Sequence, residues 1–314
     1  DMCRFANDKL DRLKHSFGKS YHDLIKIFTL TEVQAPDFVL YPKSQEEVGY
    51  IVKQSDVHKI NLITYGGGSN VTGALDVENG RLCCSLDMKN LNRLVEIDEE
   101  SHTATFESGI YGPALEKILN ERGFTLGHFP QSFEFSAIGG WIATRSAGQE
   151  SGKYGKIEDM VLGLKVAAPS GVIENTGFPR HALGVDVHPL FVGSEGTLGI
   201  ILQAKMQIHK IPSEYSWVVA LFKDFDSGVS ALKGIIQSGI HPALSRLSDP
   251  YETKMLSLFT NSETKGLKKI IQNQMKSYLK AKGYSAPSML MMKFAIGNSA
   301  DKHSVKDAVK IIKA

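Results

Sequence analysis

Apolar and polar positions alternate with both helical and strand periods along this chain, which predicts a mixed α and β protein. Ser44 and Glu47 form a capping box ahead of an apolar stripe that includes Val48 and Val52, so a helix begins here. Apolar strands over 38–41 and 61–65 flank that helix. The order strand, helix, strand predicts a parallel β-α-β unit.

The same apolar and polar periods predict the elements further along the chain. Short strands are expected at 82–86, 94–97 and 103–107, a helix at 113–121, and longer strands at 161–167 and 198–209. After Pro212 the pattern predicts a strand at 217–222, a helix at 227–237, a strand at 243–247, helices to about 280, a strand at 288–296 and a helix at 302–313. The fold class is therefore α+β, and the last part suits a ferredoxin-like half.

We divide the chain into three parts on this pattern. Residues 1–34 carry apolar side chains at helical spacing among many charges and predict an N-terminal helical segment. Residues 35–212 form the glycine-rich middle part, and 213–314 a further α+β domain. The chain starts at Asp1 and ends in an amphipathic run, so we expect a piece of a longer protein whose last domain is truncated.

Composition narrows the class of protein. The 314 residues hold 36 basic and 34 acidic side chains, and this near balance predicts no nucleic-acid partner. The three cysteines, Cys3, Cys83 and Cys84, offer no disulfide framework and favour a reducing, intracellular setting. The apolar runs are too short for a membrane helix, so we expect a soluble protein.

Three glycine-containing segments carry the candidate chemistry. Gly66-Gly67-Gly68 follows a predicted strand and lets backbone N–H groups converge on an anion such as a pyrophosphate, although a tight turn would look the same. Residues 130–148 combine hydroxyls, paired glycines and one arginine, and 193–199 place glycines at the start of a strand. A protein that binds no ligand here would not need three such segments.

Together, Thr64 to Asn70 and Gly193 to Ile200 resemble the FAD-binding domain of the vanillyl-alcohol oxidase and p-cresol methylhydroxylase superfamily. Within it, the segments 127–136 and 139–145 resemble the alkyldihydroxyacetonephosphate synthase family, also called alkylglycerone-phosphate synthases. The resemblance runs from about residue 35 to the end and implies a p-cresol methylhydroxylase-type domain of two α+β subdomains, followed by part of a ferredoxin-like cap. The residues that match the family's FAD contacts are Thr64, Tyr65, Gly66, Gly67, Gly68, Ser69, Asn70, Pro130, Gln131, Ser132, Phe133, Glu134, Phe135, Ser136, Thr144, Arg145, Ser146, Ala147, Glu195, Gly196, Thr197, Leu198, Gly199, Ile200 and Ile201.

The resemblance implies a transferase that exchanges the acyl group of acyl-dihydroxyacetone phosphate for a long-chain fatty alcohol in ether-lipid synthesis. FAD would serve as a covalent electrophile without net redox change. A homodimer, a peripheral association with membranes through the lipid substrates, and a peroxisomal or glycosomal location are also implied. No targeting signal is present in this chain.

Two further residues match family positions with a role in catalysis. Arg246 matches an arginine beside the flavin, where a fixed cation would stabilise negative charge, and a structural ion pair is the simpler reading. His128 could orient flavin or phosphate, or serve the fold alone. His181, His188 and His209 lack metal-ligand spacing, so no metal is expected. The family's catalytic tyrosine, histidine cluster and phosphate-binding arginine fall beyond residue 314, so we expect the chain alone to be inactive.

The sequence leaves two alternatives to the synthase resemblance open. A D-lactate or glycolate dehydrogenase of the same superfamily shares the two outer glycine segments, but resembles this chain less at 139–145, where Trp141 and Arg145 stand. A truncated flavoprotein that binds FAD without turnover is the other alternative.

Overall fold

A computed structural model describes residues 3–29, 33–77, 80–175, 177, 184–261, 277 and 281–313. The chain divides into two compact units, a larger one of residues 1–148 and 154–210 and a smaller one of residues 149–153 and 211–314. The three-part division at residues 34 and 212 remains a prediction.

A four-stranded sheet opens the larger unit. Its strands are β1 (Arg4–Ala6), β2 (Phe38–Tyr41), β3 (Asn61–Tyr65) and β4 (Cys83–Asp87), in the order β1-β2-β4-β3. Strands β2 and β3 both run parallel to β4, which therefore lies between the two strands of the predicted β-α-β unit. All five residues of β4 are buried. A strand that is buried on both faces belongs at the centre of a sheet, which explains the insertion.

Three helices accompany this sheet: α1 (Lys9–Lys14), α2 (Tyr21–Thr29) and α3 (Gln45–His58). Residues 4–6 are extended where helical spacing predicted a helix, because they pair antiparallel with β2. Helix α3 begins as predicted after Ser44, whose Oγ accepts the Glu47 N–H at 3.3 Å. The Glu47 carboxylate accepts the N–H of Lys43, one residue before the cap. Val48 and Val52 are buried, as the stripe predicts.

A second, five-stranded sheet forms the rest of the larger unit. The strands that follow β4 are β5 (Leu94–Asp98), β6 (Thr103–Glu107), β7 (Phe124–Thr125), β8 (Val161–Ala168), β9 (Gly171–Glu174), β10 (Ile200–Gln207) and β11 (His209–Lys210). The sheet order is β5-β6-β10-β8-β9, with antiparallel neighbours, and β7 pairs with β11. The predicted strand at 198–209 is thus two strands that belong to different sheets.

Helix α6 (Ser151–Tyr154) belongs mostly to the smaller unit. Short helices of the larger unit accompany this second sheet: α4 (Gly112–Asn120), α5 (Ile138–Ala143), α7 (Ile157–Met160) and α8 (His188–Phe191), with a 3₁₀ turn at Phe133–Phe135. The main core lies between them and the sheet, where Phe106, Leu115, Ile142 and Met206 are fully buried. Helix α5 was not predicted, because its paired glycines are poor helix formers. Its burial through Ile138, Trp141 and Ile142 outweighs that weak propensity.

The smaller unit contains β12 (Glu214–Phe222), α9 (Phe225–Gln237), β13 (Leu244–Ser248), α10 (Pro250–Asn261), β14 (Ser288–Ile296) and α11 (Ser299–Lys313). Its strands lie in the order β12-β14-β13, with β14 antiparallel to both neighbours. Leu290 and Met292 pack with Ile235 of α9 and Ala308 of α11. Numbered along the chain, the three strands lie in the order first, third, second, which is part of the ferredoxin-like pattern. Helices were predicted up to residue 280, and the part of that prediction after α10 lies outside the described residues.

Candidate functional site

A cavity of about 330 Å³ lies within the larger unit, where three glycine-containing loops meet. The loops follow β3, precede α5 and precede β10, and this volume is typical of a small-molecule pocket. The cavity therefore gathers the three segments that the sequence singled out. The predicted cofactor contacts that line it are Thr64, Gly66, Gly67, Gly68, Ser69, Asn70, Ser132, Ser136, Thr144, Ser146, Glu195, Gly196, Gly199, Ile200 and Ile201.

Other predicted contacts lie outside the lining: Tyr65, Pro130, Gln131, Phe133, Glu134, Phe135, Arg145, Ala147, Thr197 and Leu198. The lining also includes the paired glycines of the middle segment, Gly139 and Gly140, where close backbone approach was expected. Residues that were not predicted as contacts also line it: Val71, Thr72, Ala74, Leu75, Met88, Ser108, Ala137, Trp141, Ala143 and Ser194. Residues 71–75 continue the first loop, so the signal for them was adjacency. Met88 and Ser108 each follow a strand end and carry no motif that could have found them.

The first loop depends on glycines for close packing. A Cβ on Gly67 would lie 1.7 Å from the carbonyl oxygen of Phe135, far inside van der Waals contact. Gly68 has φ +63°, and a Cβ there would lie 2.5 Å from Tyr65 Oη. Tyr111 Oη donates to the Gly66 carbonyl at 3.0 Å. Side chains are thus excluded from the loop, and its backbone forms the cavity wall.

The middle segment is fixed by a chain of hydroxyls. Trp141 Nε1 donates to Ser136 Oγ at 2.7 Å, and Ser136 Oγ donates to the Ser132 carbonyl at 2.7 Å. A Cβ on Gly139 would lie 2.8 Å from the Ser108 side chain, so α5 and the end of β6 are in close contact. This packing places the first turn of α5 on the cavity.

The third loop is tied to the other two. Glu195 has φ +52°, an uncommon conformation for a residue with a Cβ, and its N–H donates to the Ala143 carbonyl at 2.9 Å. Thr72 Oγ1 donates to Glu195 Oε2 at 3.3 Å, which joins the third loop to the first. Arg145 Nε donates to the Val192 carbonyl at 3.1 Å. Arg145 therefore anchors this loop from behind.

His128 lies behind the cavity wall. The residue is fully buried, and its Nε2 lies 2.7 Å from Oγ of Ser146, which lines the cavity. Burial lowers the pKa of His128 to about 4, so the imidazole is neutral near pH 7. Its Nδ1 is buried with no hydrogen-bond partner. His128 reaches the cavity through Ser146 and through the ring of Trp141, which lies 5.1 Å from its own ring, and its catalytic role remains a prediction.

The polarity of the cavity fits a flavin nucleotide. Its lining combines glycines with nine hydroxyl side chains, and Glu195 is its one ionisable residue. The Ser108 hydroxyl is buried in this wall without a partner, and a buried hydroxyl with no partner is costly unless a ligand completes it. Backbone amides and hydroxyls suit the pyrophosphate and ribityl groups of FAD.

The structure places Arg246 on β13 in the smaller unit, where its half-exposed guanidinium pairs with Glu252. Within the described residues no group of three or more His, Cys, Asp or Glu side chains could hold a metal ion. Of the histidines considered as ligands, His181 lies outside the described residues. No helix in the described part of the chain is long and apolar enough to cross a membrane.

Comparison with known proteins first defines the class. Residues 36–177 match the family described as FAD binding domain, and this range includes two of the three cavity loops. The chain is a flavoprotein with a p-cresol methylhydroxylase-type fold, and FAD is its cofactor. The predicted α+β fold class is confirmed.

The relatives are more specific. The chain is 42% identical over 253 residues to the alkyldihydroxyacetonephosphate synthase of Dictyostelium discoideum, which covers 80% of this chain and 41% of that protein. It is 38% identical over 251 residues to the enzyme of the same name from Trypanosoma brucei brucei, covering 79% and 41%. A solved alkyldihydroxyacetonephosphate synthase structure matches with a TM-score of 0.87 and 34% identity, over 98% of this chain and 57% of that one.

These findings confirm the predicted resemblance to the alkyldihydroxyacetonephosphate synthase family. The chain spans less than half the length of the two curated relatives.

Replacing Gly67 with Ala should abolish FAD uptake, because the new Cβ would displace the backbone of Phe135. Flavin absorbance of the purified protein measures this. Gly49→Ala in α3 is the matched control, since a Cβ there meets nothing within 4 Å. Full flavin occupancy in Gly67→Ala would contradict the close approach.

Lowering the pH should destabilise the protein through His128. Its pKa is depressed to about 4 from 6.5, so below pH 6.5 the unfolded state binds a proton that the folded state does not. Stability from this group is present above pH 6.5 and falls by about 2 kcal/mol between pH 7 and pH 5. Urea unfolding of wild type and His128→Gln at both pH values measures it. Parallel losses in the two proteins would contradict the assignment.

Proposed function

We propose that the protein containing this chain is an alkylglycerone-phosphate synthase, a transferase that makes the first ether-lipid precursor. A fatty alcohol replaces the acyl group of acyl-dihydroxyacetone phosphate, and a fatty acid leaves. The observation that carries the proposal is the identity of 42% to the Dictyostelium synthase over four fifths of the chain. Bound FAD would supply an electrophile for the substrate carbon.

The residues of this chain would contribute binding and positioning. The three loops would hold FAD through backbone amides and hydroxyls, and the tight contact of Gly67 with Phe135 would exclude water from the wall. Ser146, fixed by neutral His128, would present a hydroxyl of set orientation. Binding and positioning are roles that the cavity can perform with almost no ionisable groups.

The smaller unit supports a lipid phosphate as substrate. Trp217 and Val219 on β12 are each more than half exposed. In register with Val219 lie Met291 and then Arg246, on the face of the sheet opposite the buried Leu290 and the partly buried Leu247. An apolar face that carries Arg246, and Lys293 in register with Trp217, suits an alkyl chain with an anionic group.

We extend the proposal to the setting of the enzyme. A homodimer, peripheral association with membranes through the lipid substrates, and a peroxisomal or glycosomal location all follow from the family resemblance. Sedimentation, vesicle flotation and organelle fractionation of the full-length protein would test them separately.

Full-length protein loaded with FAD should form ether product from palmitoyl-dihydroxyacetone phosphate and hexadecanol, with release of palmitate. Mass spectrometry of both products measures the exchange. Absence of exchange combined with flavin bleaching by D-lactate would overturn the proposal in favour of the dehydrogenase. Absence of both reactions would favour a flavoprotein without turnover.

Arg246→Ala should lower the exchange rate by about a hundredfold if the guanidinium stabilises negative charge during the reaction. Its stability should change by less than about 1 kcal/mol, because the pair with Glu252 is exposed. Steady-state rates and urea unfolding measure the two effects. Glu252→Ala breaks the same ion pair and should keep near-normal activity. Equal losses in both variants would assign Arg246 to the ion pair alone.

A further inference from the structure

The N-terminal segment contacts the first glycine loop, although its sequence suggested no chemistry. We call residues 15–26 the N-terminal brace. It comprises the end of the turn after α1 and most of α2, and it meets the loop region near β3, near Asn70 and near Asp76.

The first contact is a buried pair between His15 and Asp87. The two side chains are 5% and 6% exposed, and His15 Nε2 lies 3.2 Å from Asp87 Oδ2. His15 Nδ1 lies 2.7 Å from the carbonyl oxygen of Asp11. Both neighbours of the ring are oxygen acceptors, and the ring lies between them. Asp87 also accepts the Lys89 N–H at 3.0 Å and pairs with Lys89 Nζ at 3.4 Å, so His15 shares this buried carboxylate with Lys89.

Asp87 connects this pair to the flavin loop. It is the last residue of β4 and lies in register with Tyr65, the last residue of β3. The ring of His15 packs on the Tyr65 ring with centroids 4.3 Å apart. Tyr65 Oη in turn fills the space beneath Gly68, where a Cβ would lie 2.5 Å from it. His15 therefore fixes the residue on which the loop rests.

The second contact holds the far end of the loop. The Lys19 N–H donates to the Asn70 carbonyl at 2.6 Å, and Asn70 lines the cavity. A Cβ on Gly18 would lie 2.3 Å from the same carbonyl oxygen, so the brace approaches as closely as backbone permits. Beyond this point, Lys26 Nζ pairs with Asp76 Oδ1 at 3.2 Å. The brace thus contacts the loop at both ends, at Tyr65 and at Asn70.

We propose that the N-terminal brace sets the geometry of the first glycine loop for FAD, with His15 as a positioning residue that acts through Asp87 and Tyr65. Gly66 to Gly68 carry no side chains that could hold this part of the loop, so its shape must be imposed by its neighbours. The inference rests on FAD as the ligand of the cavity and not on the synthase reaction.

FAD binding by the full-length apoprotein tests the proposal. His15→Phe keeps a ring against Tyr65 but removes both ring nitrogens, and should weaken the FAD affinity by about tenfold or more, measured by quenching of flavin fluorescence. His15→Gln keeps an N–H donor towards Asp87 and should restore the affinity to within about threefold of wild type. Asp37→Ala is the control, since Asp37 accepts the Cys83 N–H at the opposite end of β4. It should leave FAD affinity unchanged.

Thermal unfolding of each apoprotein separates positioning from general stability. A His15→Phe protein that loses stability but binds FAD as tightly as wild type would overturn the proposal. If that variant does not fold, Gly18→Ala provides the test, because its Cβ would displace the brace from Asn70 and leave the pair of His15 and Asp87 intact. It should also weaken FAD affinity, and unchanged affinity would overturn the proposal. Wild-type protein that binds no FAD would refute the cofactor assignment itself, independently of the brace.

Discussion

The contact between Gly67 and the Phe135 carbonyl is the constraint on which the cavity depends. With 1.7 Å from a virtual Cβ to that oxygen, only glycine permits the first loop and the middle segment to touch. Helix α5 begins shortly after Phe135 in the chain. At the end of α5, the Ala143 carbonyl accepts the N–H of Glu195 in the third loop. Two backbone contacts therefore convert three separate glycine segments into one concave wall.

Much of the fold was predictable because local patterns and tertiary packing agree. The stripe at Val48 and Val52 and the cap at Ser44 indicated α3 correctly, since amphipathic period and capping are local properties. The placement of β4 between β2 and β3 was not predictable, because strand order depends on which strand can be buried on both faces. Residues 4–6 became a strand through pairing with a distant edge, which no local period encodes.

The candidate site shows the same division. Its glycines and hydroxyls were recognised because the loop motifs are contiguous in sequence, and the family resemblance located most of them. Ser108 and Met88 were missed, since each enters the cavity only through the strand that precedes it. Tyr65 and Arg145 were predicted as contacts but lie outside the lining: Tyr65 is the base on which Gly68 rests, and Arg145 anchors the Val192 carbonyl. Sequence motifs mark such supporting residues as readily as residues that face a ligand.

The scarcity of charge in the cavity wall has an electrostatic consequence. FAD carries a negatively charged pyrophosphate, yet the lining holds no Lys, Arg or His, and its one ionisable side chain is Glu195. Attraction must then come from N–H and hydroxyl dipoles, which act over a few ångströms and lie inside the wall, where mobile ions do not reach. Such a site neither gathers its cofactor from a distance nor releases it when ionic strength rises. We therefore expect retention of FAD to depend on the shape of the wall more than on ionic strength.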